Sequence, residues 1–377
     1  MTTALMQELN ARALELGVPF SAHLDVTYRC NERCVHCYLD HDDHGEMTLS
    51  ELKNLLDQLA EAGVFFLTLS GGEVLMRMDF FDILRYAREL RFNVKMKTNA
   101  FMVREKEADL IRELGVQSVQ ISIYSHRPEI HDGITKLPGS LKRSVAAIRL
   151  LKSRGVNVTM ANVLMRQNLH DYAGVRALAK ELCVEVTTDP TITPKMDGDR
   201  GVLGLGIRDS QLNGIFHDSQ FVGNVDEFCA QPAALDDAAL DGLPCSAGHT
   251  YCYISPYGDV YPCVQFPLAC GNVRKEKFLD IWRHSKQINE VRSIRARDLP
   301  TCSTCAHLGS CTRCPGLAFM EGNMRGPSSL DCEKSFARTG IPSANMLARM
   351  ASKTAIHDSA AHPSSFSSLI QITTARS

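Results

Sequence analysis

The stretch Thr27-Tyr-Arg-Cys-Asn-Glu-Arg-Cys-Val-His-Cys-Tyr38 follows a short apolar segment that is typical of a buried strand. It places Cys30, Cys34 and Cys37 on one loop in a C-x3-C-x2-C spacing. Three thiolates this close together can hold three corners of a 4Fe–4S cluster, which normally takes four cysteine ligands. One iron would then be open to another molecule. Short cysteine motifs also bind zinc, so the triplet alone leaves a zinc loop as an alternative.

A second motif, Leu67-Thr-Leu-Ser-Gly-Gly-Glu73, is typical of an apolar strand that ends in a turn. Gly71 and Gly72 allow the backbone to turn sharply and to approach a ligand closely. Glu73 then lies at the carboxyl end of the strand, where its carboxylate can hold an ammonium group. By itself, such a turn is common and carries little functional information.

Together, the cysteine triplet and the Gly-Gly-Glu turn resemble those of the radical S-adenosylmethionine (radical SAM) enzymes. The resemblance implies that the open iron chelates the amine and carboxylate of S-adenosylmethionine, and that Gly71, Gly72 and Glu73 contact the amine. An electron from the cluster then cleaves the sulfonium, and the resulting 5′-deoxyadenosyl radical abstracts hydrogen from the substrate.

The same resemblance implies three further cofactor contacts. Ser122 is expected at the ribose or carboxylate, Lys136 near the methionine carboxylate, and Asn162 at the ribose. The alternatives are an ordinary strand-end serine and a solvated loop lysine. The chain departs from the family pattern at positions that supply no cluster ligand, namely His36, Val74 and Ala100.

Composition narrows the class of protein. The chain has 377 residues, enough for two domains, and a net charge of −2 that argues against a nucleic-acid-binding surface. It shows neither a signal segment nor an apolar run long enough to span a membrane. Fourteen cysteines in such a chain indicate metal or redox ligands in a reducing cytoplasm, because disulfides belong to oxidising compartments.

The first part of the chain alternates strand and helix patterns, which predicts an α/β fold with a parallel sheet and helices outside it. The radical SAM resemblance makes this a partial (β/α)6 TIM-like barrel. The predicted strands are Ala22–Thr27, Phe65–Leu69, Asn93–Lys97, Ser118–Ile123, Asn157–Leu164 and Val184–Thr188. The predicted helices are Leu49–Ala62, Asp79–Leu90, Glu105–Leu114, Leu141–Ser153 and Tyr172–Leu182.

The tail contains nine cysteines between Pro244 and Glu333, flanking a predicted hairpin over Tyr253–Pro262 that turns at Tyr257-Gly258. This pattern resembles the SPASM domain, a small cysteine-rich extension that binds two auxiliary 4Fe–4S clusters. The resemblance implies an inner ligand set of Cys245, Cys252, Cys263 and Cys314. It implies an outer set of Cys302, Cys305, Cys311 and Cys332. With the triplet, the chain would hold three clusters and S-adenosylmethionine.

The roles of the remaining cysteines and the identity of the metal bound by the tail leave alternatives. The spacing between Cys311 and Cys314 is one residue shorter than the family's usual spacing. Cys270 is interpreted as a free buried thiol, with a swapped cluster ligand as the other reading. Cys183 and Cys229 are interpreted as packing residues. Paired C-x2-C units also bind zinc, so a zinc ribbon is the alternative for the tail.

These assignments divide the chain into five predicted segments. They are an N-terminal extension (1–20), the radical SAM barrel (21–200), a linker (201–243), the SPASM domain (244–335) and a flexible tail (336–377).

The architecture predicts a radical SAM oxidoreductase that modifies a peptide or protein, for example a ribosomal peptide maturase that forms a crosslink. The expected electron donor is a flavodoxin or ferredoxin. With only about twenty residues before the first strand, leader recognition would fall to a separate protein or to the two domains. The alternatives are a tetrapyrrole enzyme of haem pathways, a non-catalytic zinc-ribbon scaffold, and a sulfatase maturase. The sulfatase maturase is disfavoured because Val264 occupies the position where that family has an Asp that acts as the catalytic base.

Overall fold

The computed structural model describes residues 3–231 and 240–348. Six parallel strands form the barrel wall and agree closely with the predicted ones, which confirms the predicted fold class. They are β1 (Ser21–Thr27), β2 (Phe66–Gly71), β3 (Asn93–Thr98), β4 (Ser118–Ser122), β5 (Val158–Val163) and β6 (Glu185–Asp189).

Helices cover the outer face of this wall. Those of the barrel are α1 (Thr3–Leu16), α2 (Leu49–Glu61), α3 (Phe80–Glu89), α4 (Glu105–Glu113), α5 (Pro128–Thr135), α6 (Ser140–Ser153) and α7 (Tyr172–Glu181). The strands bury alternate side chains against them, as in β3, where Val94 and Met96 join the main core. The opposite face of β3, with Lys95 and Lys97, is turned toward the barrel interior.

The remaining helices belong to the linker and the tail. They are α8 (Asp209–Phe216), α9 (Ser219–Val222), α10 (Val225–Phe228), α11 (Phe278–His284), α12 (Lys286–Ser293), α13 (Pro315–Met320) and α14 (Ser329–Thr339). No helix among the described residues is both long and apolar enough to cross a membrane.

The cysteine-rich tail contributes three strands that extend the barrel sheet, a connection that the sequence did not reveal. The predicted hairpin is present as β7 (Tyr251–Ile254) and β8 (Asp259–Tyr261), followed by β9 (Gly271–Asn272). Strand β7 pairs in parallel with β1, from Ser21 opposite Tyr251 to Leu24 opposite Ile254. Within the described residues, the sheet therefore has the order β6-β5-β4-β3-β2-β1-β7-β8-β9.

A buried polar network lies at the junction of β1 and β7. The fully buried Asp25 accepts hydrogen bonds from the Tyr253 hydroxyl at 2.8 Å and from the His23 ring at 3.1 Å. The hydroxyls of Tyr28 and Tyr253 are 2.6 Å apart. A buried carboxylate without hydrogen-bond donors lowers the stability of the fold. Because one donor to Asp25 comes from the tail strand, the network connects that strand to the barrel strand.

The structure differs from the expected segments at both ends of the chain. The predicted N-terminal extension contains α1, and the Trp282 indole of the tail donates to the Gly17 carbonyl at 2.7 Å. Helix α14 continues past residue 335, where a flexible tail was expected, because Ala337 is buried against residues of α8. The rest of that expected tail, from residue 349, lies outside the described residues, as do residues 232–239 of the linker.

We predict that Tyr253→Phe lowers the free energy of unfolding by about 1–3 kcal/mol, because Asp25 loses a buried donor. Chemical denaturation of anaerobically prepared protein measures this change. Tyr257→Phe is the matched control, because its hydroxyl bonds the Asp42 carbonyl at an exposed position. Equal effects of the two substitutions would contradict a stabilising role for the network.

Candidate active site

A cavity of about 420 Å³ opens at the carboxyl ends of the barrel strands, where parallel barrels collect their functional residues. We call it the barrel cavity. All three triplet cysteines line it, together with both glycines of the Gly-Gly-Glu turn. Its wall also includes Ser122 and Asn162 from the barrel, and Val264 and Gln265 from the tail. The structure thus brings most of the predicted cofactor-binding residues around one space.

The triplet loop is held to the barrel by backbone hydrogen bonds. The amides of Arg33 and Val35 donate to carbonyls at the end of α5, at 2.9 and 3.0 Å. Burial raises the pKa of the Cys30 thiol to about 12 and also raises that of Cys34. These thiols therefore stay protonated unless a positively charged centre binds them, and binding releases the protons.

The two glycines are required for a reason that differs from the expected one. A Cβ on Gly72 would lie 2.4 Å from the Tyr28 carbonyl oxygen, and Gly71 has a φ of +145°. The Gly72 amide donates to the Thr27 carbonyl at 2.8 Å. The glycines thus let this turn pack directly against the backbone of the triplet loop, and both still border the cavity.

Glu73 does not face the barrel cavity, contrary to the expected contact with an ammonium group. Its carboxylate is fully buried and accepts from the Thr98 hydroxyl at 2.7 Å and from the Asn99 amide at 2.8 Å. Burial raises the pKa of Glu73, and these hydrogen bonds oppose the shift. The carboxylate therefore connects the turn to the end of β3, and the glycine backbone is the part of the motif that reaches the cavity.

Of the further predicted contacts, two lie at the cavity and one does not. Ser122 and Asn162 line it, whereas Lys136 is exposed at the end of α5 and is not among the lining residues. The Asn162 amide nitrogen donates to the Ile123 carbonyl at 2.7 Å. Its oxygen is buried without a partner in the described structure.

Unpartnered polar atoms support the fit of a bound polar cofactor. Besides the Asn162 oxygen, the buried Glu32 Oε1 and His36 Nδ1 have no hydrogen-bond partner among the described residues. All three residues line the barrel cavity. Such atoms are costly unless a ligand or water satisfies them. Burial lowers the pKa of His36 to about 4, so its ring is neutral and can accept a hydrogen bond.

The cavity wall also includes residues that the sequence analysis missed. His23, Lys97 and Gln120 line it from the interior face of β1, β3 and β4. The available signal was the period of two along these strands, which separates apolar residues facing the helices from polar residues facing the interior.

In the tail, the inner ligand set contains three of its four predicted cysteines. Burial raises the pKa of the Cys263 thiol to about 11, and the nearby Cys314 and Cys245 thiols raise it further. Despite its shorter spacing, Cys314 therefore belongs with Cys245 and Cys263. The Gln265 side-chain oxygen lies 4.0 Å from Cys314 Sγ, and Gln265 lines the barrel cavity. The inner set therefore lies behind Gln265, which reaches the cavity wall.

The structure contradicts the assignment of Cys252 to this set. Cys252 lies in β7 with its side chain in the main core, opposite Ala22 of β1. Burial raises the pKa of the Cys252 thiol, and the nearby Cys270 thiol raises it further. Because strand side chains alternate between faces, the neighbours Tyr251 and Tyr253 face the interior and Cys252 faces the helices. The geometry leaves Cys245, Cys263 and Cys314 as the candidate inner set, and their role as cluster ligands stays a prediction.

The four cysteines predicted for the outer set lie close together, and their role as cluster ligands stays a prediction. Its four cysteines line one small cavity of about 30 Å³, together with His307 and Arg313, and they are Cys302, Cys305, Cys311 and Cys332. Burial raises the pKa of the Cys302 thiol to about 11, and the other three thiols add to this shift.

The spacing of the thiols bears on the zinc alternative. Among the described residues, no three His, Cys, Asp or Glu side chains converge closely enough to hold a single metal ion. The triplet and the outer set nevertheless each line one cavity. This arrangement suits a group larger than one ion, such as an iron–sulfur cluster.

Comparison with known families agrees with this geometry. The sequence profile of the radical SAM superfamily matches residues 24–179, and that of the SPASM iron–sulfur cluster-binding domain matches residues 245–315. The chain is a radical SAM enzyme with a SPASM domain. It therefore uses S-adenosylmethionine and iron–sulfur clusters, as predicted. The number of clusters stays a prediction.

Proteins with different activities are similar to this chain. An AdoMet-dependent heme synthase of Oleidesulfovibrio alaskensis is 28% identical, over 82% of this chain and 86% of that protein. The mycofactocin maturase MftC of Mycobacterium tuberculosis is 28% identical, over 81% of each. Streptococcus suis SuiB bound to its precursor peptide SuiA has a TM-score of 0.69 at 16% identity, covering 86% of this chain and 79% of that one.

We predict that replacing Cys30, Cys34 and Cys37 together by Ala abolishes 5′-deoxyadenosine formation. The reason is that these thiols are the only cysteines at the described cavity wall. Chromatography of anaerobic reactions measures deoxyadenosine, and iron analysis shows whether the tail clusters are retained. Cofactor cleavage at the wild-type rate would contradict the assignment.

We predict that Cys263→Ala and Cys252→Ala differ in iron content after reconstitution. Cys263→Ala should lose about four irons per chain, the content of one cluster, whereas Cys252→Ala should retain the wild-type content. Iron analysis and the electron paramagnetic resonance spectrum of the reduced protein distinguish them. A loss of one cluster in Cys252→Ala would restore Cys252 as a ligand.

Proposed function

We propose that this radical SAM enzyme modifies a peptide substrate by a net oxidation such as a crosslink. The observation that carries the proposal is a groove that continues from the barrel cavity. The groove measures about 370 Å³ and lies between the end of the barrel and helices α13 and α14 of the tail. It shares Ile192 with the barrel cavity.

The segment 190–194 separates these two spaces. Thr191 and Thr193 border the barrel cavity, whereas Pro190 and Pro194 border the groove. An extended substrate can therefore pass along this segment from the groove to the cavity. The groove ends at charged residues, where Arg208 and Glu333 form an ion pair at 3.1 Å. This elongated path suits a chain-like substrate better than a compact one.

The chain's own residues prepare the site for the cofactor. When bound, S-adenosylmethionine and the triplet's cluster supply a 5′-deoxyadenosyl radical that abstracts hydrogen. The glycine turn forms part of the cavity wall beside the triplet, and Ser122 and Asn162 offer hydrogen bonds on the opposite strands. Among these proposed contacts, Lys136 has the weakest support, because its side chain is exposed away from the wall.

The outer cysteine set is proposed to carry electrons. In a net oxidation, an electron must leave the substrate radical. Four thiolates saturate a cluster, so the outer set suits electron transfer and not substrate binding. The inner set, with three candidate thiolates, is not assigned this role. An external flavodoxin or ferredoxin would reduce the triplet's cluster in the cytoplasm, and any leader would be bound by a separate protein or by the barrel and tail.

A tetrapyrrole substrate is the second candidate, because the heme synthase of O. alaskensis aligns with most of this chain. Tetrapyrrole intermediates carry several carboxylates, whereas the described cavity wall contains one lysine and no arginine. That charge pattern favours the peptide. Sulfatase-type chemistry stays disfavoured, because Val264 borders the cavity and cannot accept a proton.

The test uses anaerobically reconstituted enzyme with short peptides encoded beside its gene, and with a coproporphyrin as the competing substrate. We expect one peptide to lose two hydrogen atoms, measured by mass spectrometry, with formation of deoxyadenosine. Turnover of the porphyrin without change in any peptide would contradict the proposal.

We predict that Cys305→Ala in the outer set spares deoxyadenosine formation and suppresses the oxidised product. The physical reason is that the substrate radical forms normally, but no outer cluster is present to accept its electron. Cys229→Ala is the control, because this cysteine lies in the linker, outside both tail sets. Normal product formation by cluster-depleted Cys305→Ala would leave a structural role for the outer set.

A further inference from the structure

Lys97 is the one lysine or arginine in the described wall of the barrel cavity. It lies in β3 on the interior face, and the register places it in the same row of the sheet as Gln120 of β4. Gln120 also lines the cavity, as does Ser122 at the end of β4. A single cation is therefore accompanied by neutral hydrogen-bonding side chains.

The Lys97 ammonium has no ion-pair or hydrogen-bond partner among the described residues. The nearest candidate, Asp25, is more than 4 Å away and is already bonded to Tyr253 and His23. Asp25 is fully buried, so its carboxylate does not extend into the cavity. The positive charge of Lys97 is thus directed at the space that the substrate occupies.

The Lys97 side chain is accessible to solvent through the open cavity, and the barrel wall surrounds its base. Burial lowers the pKa of Lys97, and the charges of Asp25 and Cys263 oppose that shift. Lys97 thus shares the cavity wall with the triplet and lies close enough to Cys263 of the inner set for their charges to interact. In an enclosed site, a charge-assisted hydrogen bond is stronger than in water.

We propose that Lys97 binds a carboxylate of the substrate and orients it in the barrel cavity. This inference rests on the proposed function only in placing the substrate there. One ammonium flanked by an amide and a hydroxyl matches a singly charged carboxylate. A phosphate group, with its higher charge, is typically bound by arginines or by several backbone amides, and the wall has no arginine.

A carboxylate could come from two sources, the substrate or the methionine part of S-adenosylmethionine. In the binding mode typical of radical SAM enzymes, the cofactor's carboxylate is already on the open iron. Lys97 is therefore assigned to the substrate, and the experiment separates the two sources.

The first experiment measures acetylation of Lys97 by N-hydroxysuccinimidyl acetate in the reconstituted enzyme, using mass spectrometry. With S-adenosylmethionine bound, saturating propionate should slow acetylation about tenfold by occupying the ammonium, whereas propionamide should not. Lys95, on the same face of β3 but outside the cavity wall, is the internal control.

Three results would overturn the assignment. They are no protection by propionate, equal protection by propionamide, and complete protection by S-adenosylmethionine alone. The last result would show that Lys97 binds the cofactor and not the substrate. Because propionate replaces the unidentified substrate, this experiment can succeed even if no peptide is modified, so failures of the two proposals are distinguishable.

The second experiment compares Lys97→Gln, Lys97→Arg and Lys95→Gln in the substrate test. Lys97→Gln should raise the KM for the accepted substrate about 10- to 100-fold, the range for one charge-assisted hydrogen bond, and leave cofactor affinity unchanged. Lys97→Arg should restore part of the loss, and Lys95→Gln should behave as wild type. An unchanged KM in Lys97→Gln, or weakened cofactor binding, would refute the proposal.

Discussion

The close approach of two backbone segments is the constraint on which the active site depends. The turn at Gly71 and Gly72 packs directly on the start of the triplet loop, with no room for a side chain at Gly72. Glu73 then connects this turn to the end of β3 through buried hydrogen bonds. Three neighbouring strand ends are thereby held in one arrangement. The motif therefore builds the site as much as it binds the cofactor.

The tail depends on the barrel through an equally direct contact. Strand β7 continues the barrel sheet beyond β1, and Asp25 receives hydrogen bonds from both strands. This pairing brings Val264 and Gln265 to the cavity wall, and the inner cysteine set lies behind them. The same pairing removes Cys252 from that set, because alternation along β7 turns its side chain into the core. One strand thus sets both the position of the inner set and its number of thiolates.

The cavity wall explains how one scaffold can serve substrates of different kinds. The triplet and the glycine turn supply the shared cofactor chemistry, whereas the interior residues of the strands decide what binds beside it. In this chain those residues are mostly neutral and polar, with a single ammonium at Lys97. The groove beside segment 190–194 then adds length to the site. The charge of the cavity wall and the length of the site together restrict the substrate more than family membership does.

The sequence by itself determined the barrel, the triplet and the outer cysteine set. Strand and helix follow from local periodicity, and the triplet cysteines, like Cys302, Cys305 and Cys311, are close enough in sequence to lie on one loop. Tertiary structure alone decided the pairing of β7 with β1, the exclusion of Cys252, the inward position of Lys97 and the outward position of Lys136. Each of these depends on which face a side chain takes or which distant strand it meets. A change of one residue in register reverses a face, and no local pattern records the partner strand.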